Sequence, residues 1–335
     1  VIYQNLLIIG SATGEGYDAS PGHIRAYNTI TGKLVWIFHT IPQEGEYGFD
    51  TWKWQENENY GGTNDWGGLS LDEKKGVLFV ATGSPTYDFY GGNRIGSNLY
   101  GNSIIALDAK SGQRIWHYQT VKHDIWDYDL PCAPTLATIP WKGSTREVLM
   151  QPTKMGELIL LDRMTGENLL SPVETPTPAS DIPGEQSHPT QSLNQGIKLV
   201  RQGWDTTQIT ALSDSARNYI LTQSRKYISK GMYTPPSIIG TISQPGTRGG
   251  MGWSGMSYDP YKNIAYTNCN DFPMLFQLEK LRSREKVDDK YYLGEKLYML
   301  NCASCHGSNR KGNTDGIPAL SNLKNKFKIN ELRQI

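Results

Sequence analysis

The sequence lacks a net charge, long apolar runs and long stretches of the residues that favour helices. Its 33 Lys and Arg residues balance 33 Asp and Glu residues, so the 335-residue chain offers no electrostatic reason to bind nucleic acid, and we expect no such partner. No stretch approaches the roughly 18 consecutive apolar residues that a membrane-spanning helix requires. Runs of Ala, Leu, Glu or Lys are short. These absences leave a globular protein that is poor in long helices.

Turn-forming and aromatic residues are plentiful instead. The chain contains 35 Gly, 18 Pro, 19 Tyr and 9 Trp residues. Frequent turn formers between short aromatic and β-branched runs indicate an all-β protein with many tight connections. The length allows one large domain and one small domain.

Both ends of the sequence fall inside predicted elements. Residues 1–10 have the pattern of a strand already in progress, and residues 330–335 have the pattern of an unfinished helix. We therefore expect a longer protein that continues beyond both ends. No signal peptide is visible, and under this expectation its absence does not argue for the cytoplasm.

One strand–turn–strand pattern recurs along the chain, at residues 26–36, 106–116 and, more weakly, 160–170. In each copy Asp or Asn opens the turn, where its side chain can bind the following backbone, and Gly closes it at positive φ. The first two copies end in Trp36 and Trp116, which we expect to fill the seam to the next unit. The pattern predicts the blades of a β-propeller, and a β-sandwich with coincidental turns is the alternative.

Further hairpins and a change of composition complete the predicted organisation. Companion hairpins are predicted at residues 69–80 and 256–266, whereas residues 171–200 are rich in Pro, Ser and Thr and are predicted to be a surface loop. Near residue 280 the sequence becomes charged and helical. We therefore place one domain at 1–279 and a second at 280–335.

The second domain carries the motif Cys-Ala-Ser-Cys-His at residues 302–306. Two thiols three positions apart on one helical turn can form thioethers with both vinyl groups of a haem, and His306 then supplies an axial ligand to the iron. A zinc or disulfide protein is the alternative, but a zinc site needs a second ligand pair, and none follows.

Residues 290–335 resemble the start of a class I c-type cytochrome, a small α-helical domain. The resemblance implies that Cys302 and Cys305 bind haem c covalently and that His306 ligates the iron. No Met follows Met299, so this sequence does not show the distal Met that is usual in that family. Haem c is attached outside the cytoplasm, which implies a periplasmic location.

The segment at residues 119–131 is unusually rich in functional groups. Three carboxylates, a His and a Trp lie within the seven residues 123–129. A solvated acidic loop is the simplest interpretation. The concentration of ionisable and aromatic side chains at a blade connection favours a chemical site instead.

This segment resembles the signature of PQQ-dependent dehydrogenases, especially the glucose dehydrogenase-like branch. The likeness extends over residues 1–275 and includes the ordered matches at 22–27, 88–94 and 233–236. It implies part of an eight-bladed β-propeller, followed by the cytochrome c domain. It also implies PQQ, Ca²⁺ and haem c as cofactors.

The resemblance assigns roles to individual residues. Asp127 matches the general base that removes the substrate hydroxyl proton, and Lys154 matches the basic residue that contacts the quinone oxygens. Glu15 matches a Ca²⁺ ligand, and Asp88 is a second candidate ligand or a turn-capping residue. Trp66 matches the residue that stacks on the quinone; a further seam Trp is the alternative, and the flanking glycines, which allow close approach of a ligand, favour stacking.

The roles of three further residues remain open at this point. Trp253 lies in a Gly-rich segment and is a second stacking candidate. Arg94 and His123 are either substrate contacts or structural hydrogen-bonding residues.

The predicted function is oxidation of a sugar or alcohol hydroxyl at PQQ and Ca²⁺. Electrons would pass to haem c and then to a respiratory acceptor, a quinone or a cytochrome. The alternative is a non-catalytic propeller scaffold fused to an electron-transfer cytochrome. The set Glu15, Asp127 and Lys154 favours the enzyme, because a scaffold has no reason to assemble it.

Overall fold

The computed structural model describes residues 1–54, 59–279, 294, 295, 297–299, 301–312, 316–321 and 323. The chain divides into two compact units, Val1–Glu279 and Lys280–Ile335. The helical segment predicted to begin near residue 280 and the helix predicted at 330–335 start outside the described residues. Among the described residues, no helix has the length and apolar character needed to cross a bilayer.

The first unit begins with two four-stranded antiparallel sheets in which each strand pairs with the next along the chain. The first sheet contains β1 (Ile2–Tyr3), β2 (Leu6–Ile9), β3 (Ile24–Asn28) and β4 (Leu34–Phe38), and the second contains β5 (Ser70–Asp72), β6 (Val77–Ala81), β7 (Ser103–Asp108) and β8 (Arg114–Gln119). Apolar side chains of both sheets share one core, which includes Ile8, Ile24, Leu78 and Ile105.

Smaller sheets follow. They contain β9 (Thr135–Trp141), β10 (Ser144–Pro152), β11 (Leu158–Asp162), β12 (Val173–Pro176), β13 (Thr190–Leu193), β14 (Thr241–Ser243), β15 (Met256–Asp259), β16 (Ile264–Thr267) and β17 (Met274–Phe276). The strands β9–β11 form one antiparallel sheet, and the remaining pairs are β12–β13, β14–β17 and β15–β16. The loop prediction for 171–200 was wrong where β12 and β13 pair, because cross-strand hydrogen bonds there outweigh a turn-rich composition.

Helices are few among the described residues. Those with given bounds are the 3₁₀ turns Phe49–Thr51 and Thr206–Gln208, α1 (Asp214–Ser224) and α2 (Ala303–His306), and residues 294, 295, 297–299 and 301 are also helical. Ser213 caps α1 by accepting a hydrogen bond from the Ala216 N–H. The prediction of a mostly-β first unit is therefore confirmed. No sheet closes on itself within the described part of the chain.

The repeated turns have the predicted chemistry. The side chains of Asn28, Asp108 and Asp162 each accept hydrogen bonds from the backbone two and three residues ahead. The glycines that close these turns all have positive φ: 68° at Gly32, 73° at Gly112 and 75° at Gly166. The third copy is weaker as predicted, since only an isolated bridge joins Leu161 to Asn168.

The Trp residues fill the seams between successive sheets. Trp36 and Trp116 are both buried, each 8% exposed. A Cβ atom on Gly112 would lie 2.5 Å from the Trp36 ring, and one on Gly166 would lie 2.7 Å from the Trp116 ring. Each Trp therefore packs on the turn glycine of the following unit, which confirms the predicted docking role.

Candidate cofactor site and haem motif

The acidic segment forms a turn that is organised around Asp124, in the connection between β8 and β9. The fully buried Asp124 carboxylate accepts hydrogen bonds from the Trp126 N–H at 2.8 Å and the Tyr128 N–H at 2.7 Å. These amides flank Asp127, whose φ is 58°. The Asp124 side chain thus holds the backbone in the left-handed conformation that presents Asp127.

Two further donors complete the environment of Asp124. The Ser84 hydroxyl donates to its Oδ2 at 2.5 Å, and the Asn102 amide donates to the same oxygen at 2.8 Å. Burial raises the pKa of Asp124, and these hydrogen bonds oppose that shift. No role was predicted for Asp124. Its spacing of two and four residues from the amides it binds is the sequence signal that could have identified it.

Lys154 provides the positive charge of the site. It follows β10, and its ammonium group donates to Asp127 Oδ1 at 2.8 Å and to Asp129 Oδ2 at 3.4 Å. Its side chain is 10% exposed. The backbone of Gly249 and Gly250 packs against it: the Gly250 N–H donates to the Lys154 carbonyl at 2.6 Å, and a Cβ on Gly249 would lie 2.6 Å from Lys154 Cγ.

The carboxylates around Lys154 differ in acidity. Burial, followed by the charge of Asp129, raises the pKa of Asp127 well above its ordinary range, although Lys154 opposes the shift. Burial opposes ionisation of Asp129 as well, but Lys154 and hydrogen bonds from Ser84 hold the pKa of Asp129 below its usual value. Asp129 is therefore the ionised partner of Lys154, a role that the sequence analysis did not assign.

Asp88 and Glu15 extend this negative region. Burial, Asp129 and then Glu15 raise the pKa of the buried Asp88 carboxyl well above its ordinary range. Glu15 itself is exposed. Of these carboxyl groups, Asp127 and Asp129 contact Lys154. Within the described residues no three His, Cys, Asp or Glu side chains are grouped as a formed metal site. Asp88 and Asp127, whose pKa values are raised, nevertheless offer the oxygen donors that a hard divalent cation prefers.

Trp66 lies beside the same cluster and is 38% exposed. Its indole N–H donates to Asp129 Oδ2 at 3.1 Å, and the Lys154 ammonium lies 6.0 Å from its ring centroid. The next residue, Gly67, packs so closely on Cys132 that a Cβ would lie 2.6 Å from the Cys132 nitrogen. An anchored, partly open aromatic face beside a lysine fits a planar anionic ring.

The structure does not bring every predicted residue into this cluster. The Trp253 side chain is 77% exposed, and no hydrogen bond or ring contact joins it to the cluster among the described residues. Arg94 and His123 are 0% and 1% exposed; both terminal nitrogens of Arg94 and both ring nitrogens of His123 contact other groups of the fold. Of the two interpretations open for Arg94 and His123, the structure favours structural hydrogen bonding.

The haem motif has the geometry that its chemistry needs. His306 closes the short helix α2, and its Nδ1 donates to the Pro318 carbonyl at 2.8 Å, which leaves Nε2 for a metal. Cys302 and Cys305 are free thiols, half-buried and exposed respectively. The donor set therefore fits covalent haem with an oriented axial imidazole.

Comparison with known protein families identifies the family to which this chain belongs. Residues 1–312 match the PQQ family described as glucose/ethanol/alcohol dehydrogenase, beta-propeller domain, and residues 292–335 match the cytochrome c family. The chain belongs to the family of PQQ-dependent dehydrogenases. The family identified from sequence is thus confirmed, together with the cytochrome c domain and with PQQ and haem c as the cofactors that these domains take.

Curated relatives of this dehydrogenase chain include three named enzymes. It is 33% identical to quinate/shikimate dehydrogenase (quinone) of Acinetobacter baylyi, over 87% of this chain and 36% of that protein. It is 33% identical to the glycerol dehydrogenase large subunit of Gluconobacter thailandicus, over 82% and 37% respectively. It is 31% identical to quinoprotein glucose dehydrogenase of Escherichia coli, over 83% and 35%. The chain thus spans little more than a third of these relatives.

Solved structures support the fold. Quinohaemoprotein alcohol dehydrogenase from Pseudomonas putida superposes with a TM-score of 0.59 and 23% identity, covering 85% of this chain and 38% of that one. The enzyme from Comamonas testosteroni gives 0.57 and 24%, covering 82% and 37%. At these identities the likeness concerns the fold of the dehydrogenase chain alone.

Proposed function

We propose that this chain is part of a periplasmic PQQ- and Ca²⁺-dependent dehydrogenase that oxidises a sugar or alcohol hydroxyl to a carbonyl or lactone. Electrons then pass to haem c and on to a quinone or cytochrome of the respiratory chain. The observation that carries the proposal is the contact of Lys154 with Asp127 and Asp129, beside the half-exposed ring of Trp66. The proposed propeller of the whole protein has eight blades.

When bound, PQQ supplies a two-electron acceptor for the hydride of the substrate carbon. Asp127 accepts the hydroxyl proton at its carboxylate, which requires that carboxyl group to be ionised. Its raised pKa is therefore an obstacle in the protein alone. A calcium ion held by Glu15 and Asp88 would place positive charge near Asp127, which would lower that pKa and favour the ionised base.

Lys154 and Trp66 hold the quinone ring in this proposal. The Lys154 ammonium would supply positive charge to stabilise the reduced ring, and it orients Asp127 through their 2.8 Å hydrogen bond. Trp66 provides a flat apolar surface, and its hydrogen bond to Asp129 fixes the ring plane. Trp253 remains a weaker stacking candidate because its side chain is solvent-exposed.

The names of the relatives support polyhydroxy substrates. Quinate, shikimate, glycerol and glucose, named in those enzymes, all carry several hydroxyl groups on adjacent carbons. The cytochrome motif supports both the acceptor and the compartment, because haem c is attached outside the cytoplasm. Cys302 and Cys305 would hold the haem, and His306 would ligate its iron through Nε2.

The decisive experiment is calcium-dependent PQQ binding by the full-length protein, produced in a periplasm that matures cytochromes. We expect one PQQ per chain, released when EDTA removes calcium and regained when calcium is returned. The haem spectrum is the internal control, because it should not respond to EDTA. Protein with intact haem and no affinity for PQQ would refute the dehydrogenase and favour the scaffold alternative.

A further inference from the structure

A buried ionic contact lies next to the proposed site but outside it. His123 Nε2 is 2.6 Å from Oε1 of Glu185, and their side chains are 0% and 2% exposed. The other ring nitrogen, Nδ1, is 3.0 Å from the Gly96 carbonyl oxygen. A carbonyl can only accept, so Nδ1 carries a proton.

The two side chains share a hydrogen bond. Because Nδ1 carries a proton to the Gly96 carbonyl, the approach of Nε2 and Oε1 to 2.6 Å requires a further proton between them. Burial opposes ionisation of Glu185, but the hydrogen bond and electrostatic attraction of His123 hold the pKa of Glu185 below its usual value. Removing one partner leaves the other polar group buried and unpaired, which is strongly unfavourable. The contact therefore holds the segment that contains His123 against the segment that contains Glu185.

Those segments are far apart in sequence. Glu185 lies in the connection between β12 and β13, residues 177–189. Its second carboxylate oxygen accepts a hydrogen bond from the Gly91 N–H. His123 immediately precedes Asp124, the residue that organises the turn at Asp127. From the other side, the fully buried Arg94 donates to the Asp124 carbonyl at 2.6 Å. Glu185 thus holds the start of the site turn at the His123 side chain, and Arg94, from the connection between β6 and β7, holds it at the backbone.

The His123 ring packs closely on the backbone of Gly91. A Cβ on Gly91 would lie 2.7 Å from both Cε1 and Nε2 of His123, and 3.0 Å from Nη1 of Arg94. The backbone of Gly91 is therefore in close contact with both side chains. Displacement of Glu185 would release the only carboxylate that holds His123 within the described residues.

We propose that Glu185 is a positioning residue that acts through His123 to fix Asp124, and thereby the turn that presents Asp127 to Lys154. The inference rests on the proposed function, since it assigns Asp127 a part in the reaction. The connection between β12 and β13 then stabilises the cofactor site and is not merely a surface loop.

The chain contains a matched control. Glu174, at the start of the same hairpin, pairs with Lys122, the neighbour of His123, at 3.3 Å. Those side chains are 54% and 29% exposed, so this pair joins the same two segments in solvent, where it contributes little. Comparing Glu185→Gln with Glu174→Gln in the full-length protein separates the buried contact from any general effect of the hairpin.

The experiment measures turnover and amide exchange. For Glu185→Gln we expect kcat per bound PQQ to fall about tenfold to a hundredfold, as when a catalytic group is displaced by about 1 Å. KM should stay within about twofold, because the substrate contacts themselves are retained. In the protein without substrate, hydrogen exchange at the Trp126 and Tyr128 amides should accelerate at least about tenfold. Glu174→Gln should change neither.

The outcomes are distinguishable. Unchanged exchange and unchanged kcat per PQQ in folded Glu185→Gln would overturn the inference, and so would an activity loss that only follows PQQ content. If the wild-type protein neither binds PQQ nor turns over, the proposed function fails while the exchange comparison still tests the role of Glu185. If Glu185→Gln does not fold, Glu185→Asp retains the charge but is too short for both contacts, and it should show faster exchange at the same two amides.

Discussion

The ammonium group of Lys154 lies 2.8 Å from Oδ1 of Asp127 and 3.4 Å from Oδ2 of Asp129, carboxylates that precede it by 27 and 25 positions. Lys154 thus contacts two carboxyl groups whose pKa values are shifted in opposite directions. The pKa of Asp127 is raised, above all by burial, whereas that of Asp129 is lowered. The difference assigns them different tasks. Asp129 anchors the lysine and Trp66, and Asp127 is the group whose proton can be exchanged.

Replacement of Asp127 tests its role as the base. We expect Asp127→Asn in the full-length protein to lower dye-linked sugar or polyol oxidation by about 10²–10⁴-fold, the usual contribution of a general base. Bound PQQ and the haem spectrum should be retained. Asp214→Asn, in the first turn of α1, is the control and should keep full activity. Substantial turnover by Asp127→Asn would remove Asp127 from this role.

Replacement of Lys154 tests the charge balance of the cluster. Lys154→Gln removes the cation that lowers the pKa of Asp129 and opposes the rise at Asp127, so both carboxyl groups should become less acidic. We expect PQQ to bind at least about tenfold more weakly, because a buried charge-assisted contact is worth more than about 1.4 kcal/mol. The measurement is a PQQ titration at saturating calcium, with the exposed Lys110→Gln as control. Equal affinity in both variants would contradict the assignment.

The seam between sheets can be tested with two glycines. Gly32 and Gly112 share positive φ, but a Cβ on Gly32 meets nothing within 4 Å, whereas one on Gly112 lies 2.5 Å from the Trp36 ring. We expect Gly32→Ala to lower the free energy of unfolding by about 1–2 kcal/mol through backbone strain alone. Gly112→Ala should cost about 1–3 kcal/mol more through overpacking. Thermal unfolding midpoints of the two variants provide the comparison. Equal midpoints would show that the seam accommodates the added methyl group.

Glu157 gives a pH-dependent prediction. It is fully buried, and burial raises its pKa from 4.5 to about 7. As pH rises from about 4.5 to about 7, the unfolded chain loses this proton while the folded chain keeps it, so stability is lost across that window. We expect Glu157→Gln to remove a penalty on the order of 3 kcal/mol at pH 8 and to change little at pH 4.

The measurement for Glu157 is the unfolding midpoint between pH 4 and pH 8. Glu167→Gln is the control, because Glu167 is exposed in the turn after β11. Its midpoint should follow that of the wild type at every pH. A difference between Glu157→Gln and wild type that did not grow with pH would contradict the assignment of a protonated Glu157.

The local features were predictable from sequence because their causes are local. The Asp or Asn that opens each repeated turn bonds to amides two and three residues away, and Gly closes the turn because it tolerates positive φ. The spacing within residues 302–306 likewise places two thiols and an imidazole on one helical turn. The docking of Trp36 and Trp116 followed from the repeat itself.

Other features depended on neighbours that the sequence places far away. The hairpin formed by β12 and β13 was hidden by a turn-rich composition, and His123 kept two interpretations until its contact with Glu185 was known, 62 positions further on. Trp66 and Trp253 lie in similar Gly-rich segments, yet only Trp66 contacts the cluster among the described residues. No spacing rule distinguishes them, because the contact joins residues 63 positions apart.

By itself the sequence determined the repeated β architecture, the haem motif and the family, because turn chemistry, helical spacing and ordered motifs are properties of the chain. Only the tertiary structure decided which carboxyl group is ionised, which aromatic ring is anchored and which charged pair is buried. The physical reason is that desolvation and Coulomb interaction depend on distances through space. Asp127 and Asp129 are two residues apart in sequence, and their pKa values move in opposite directions.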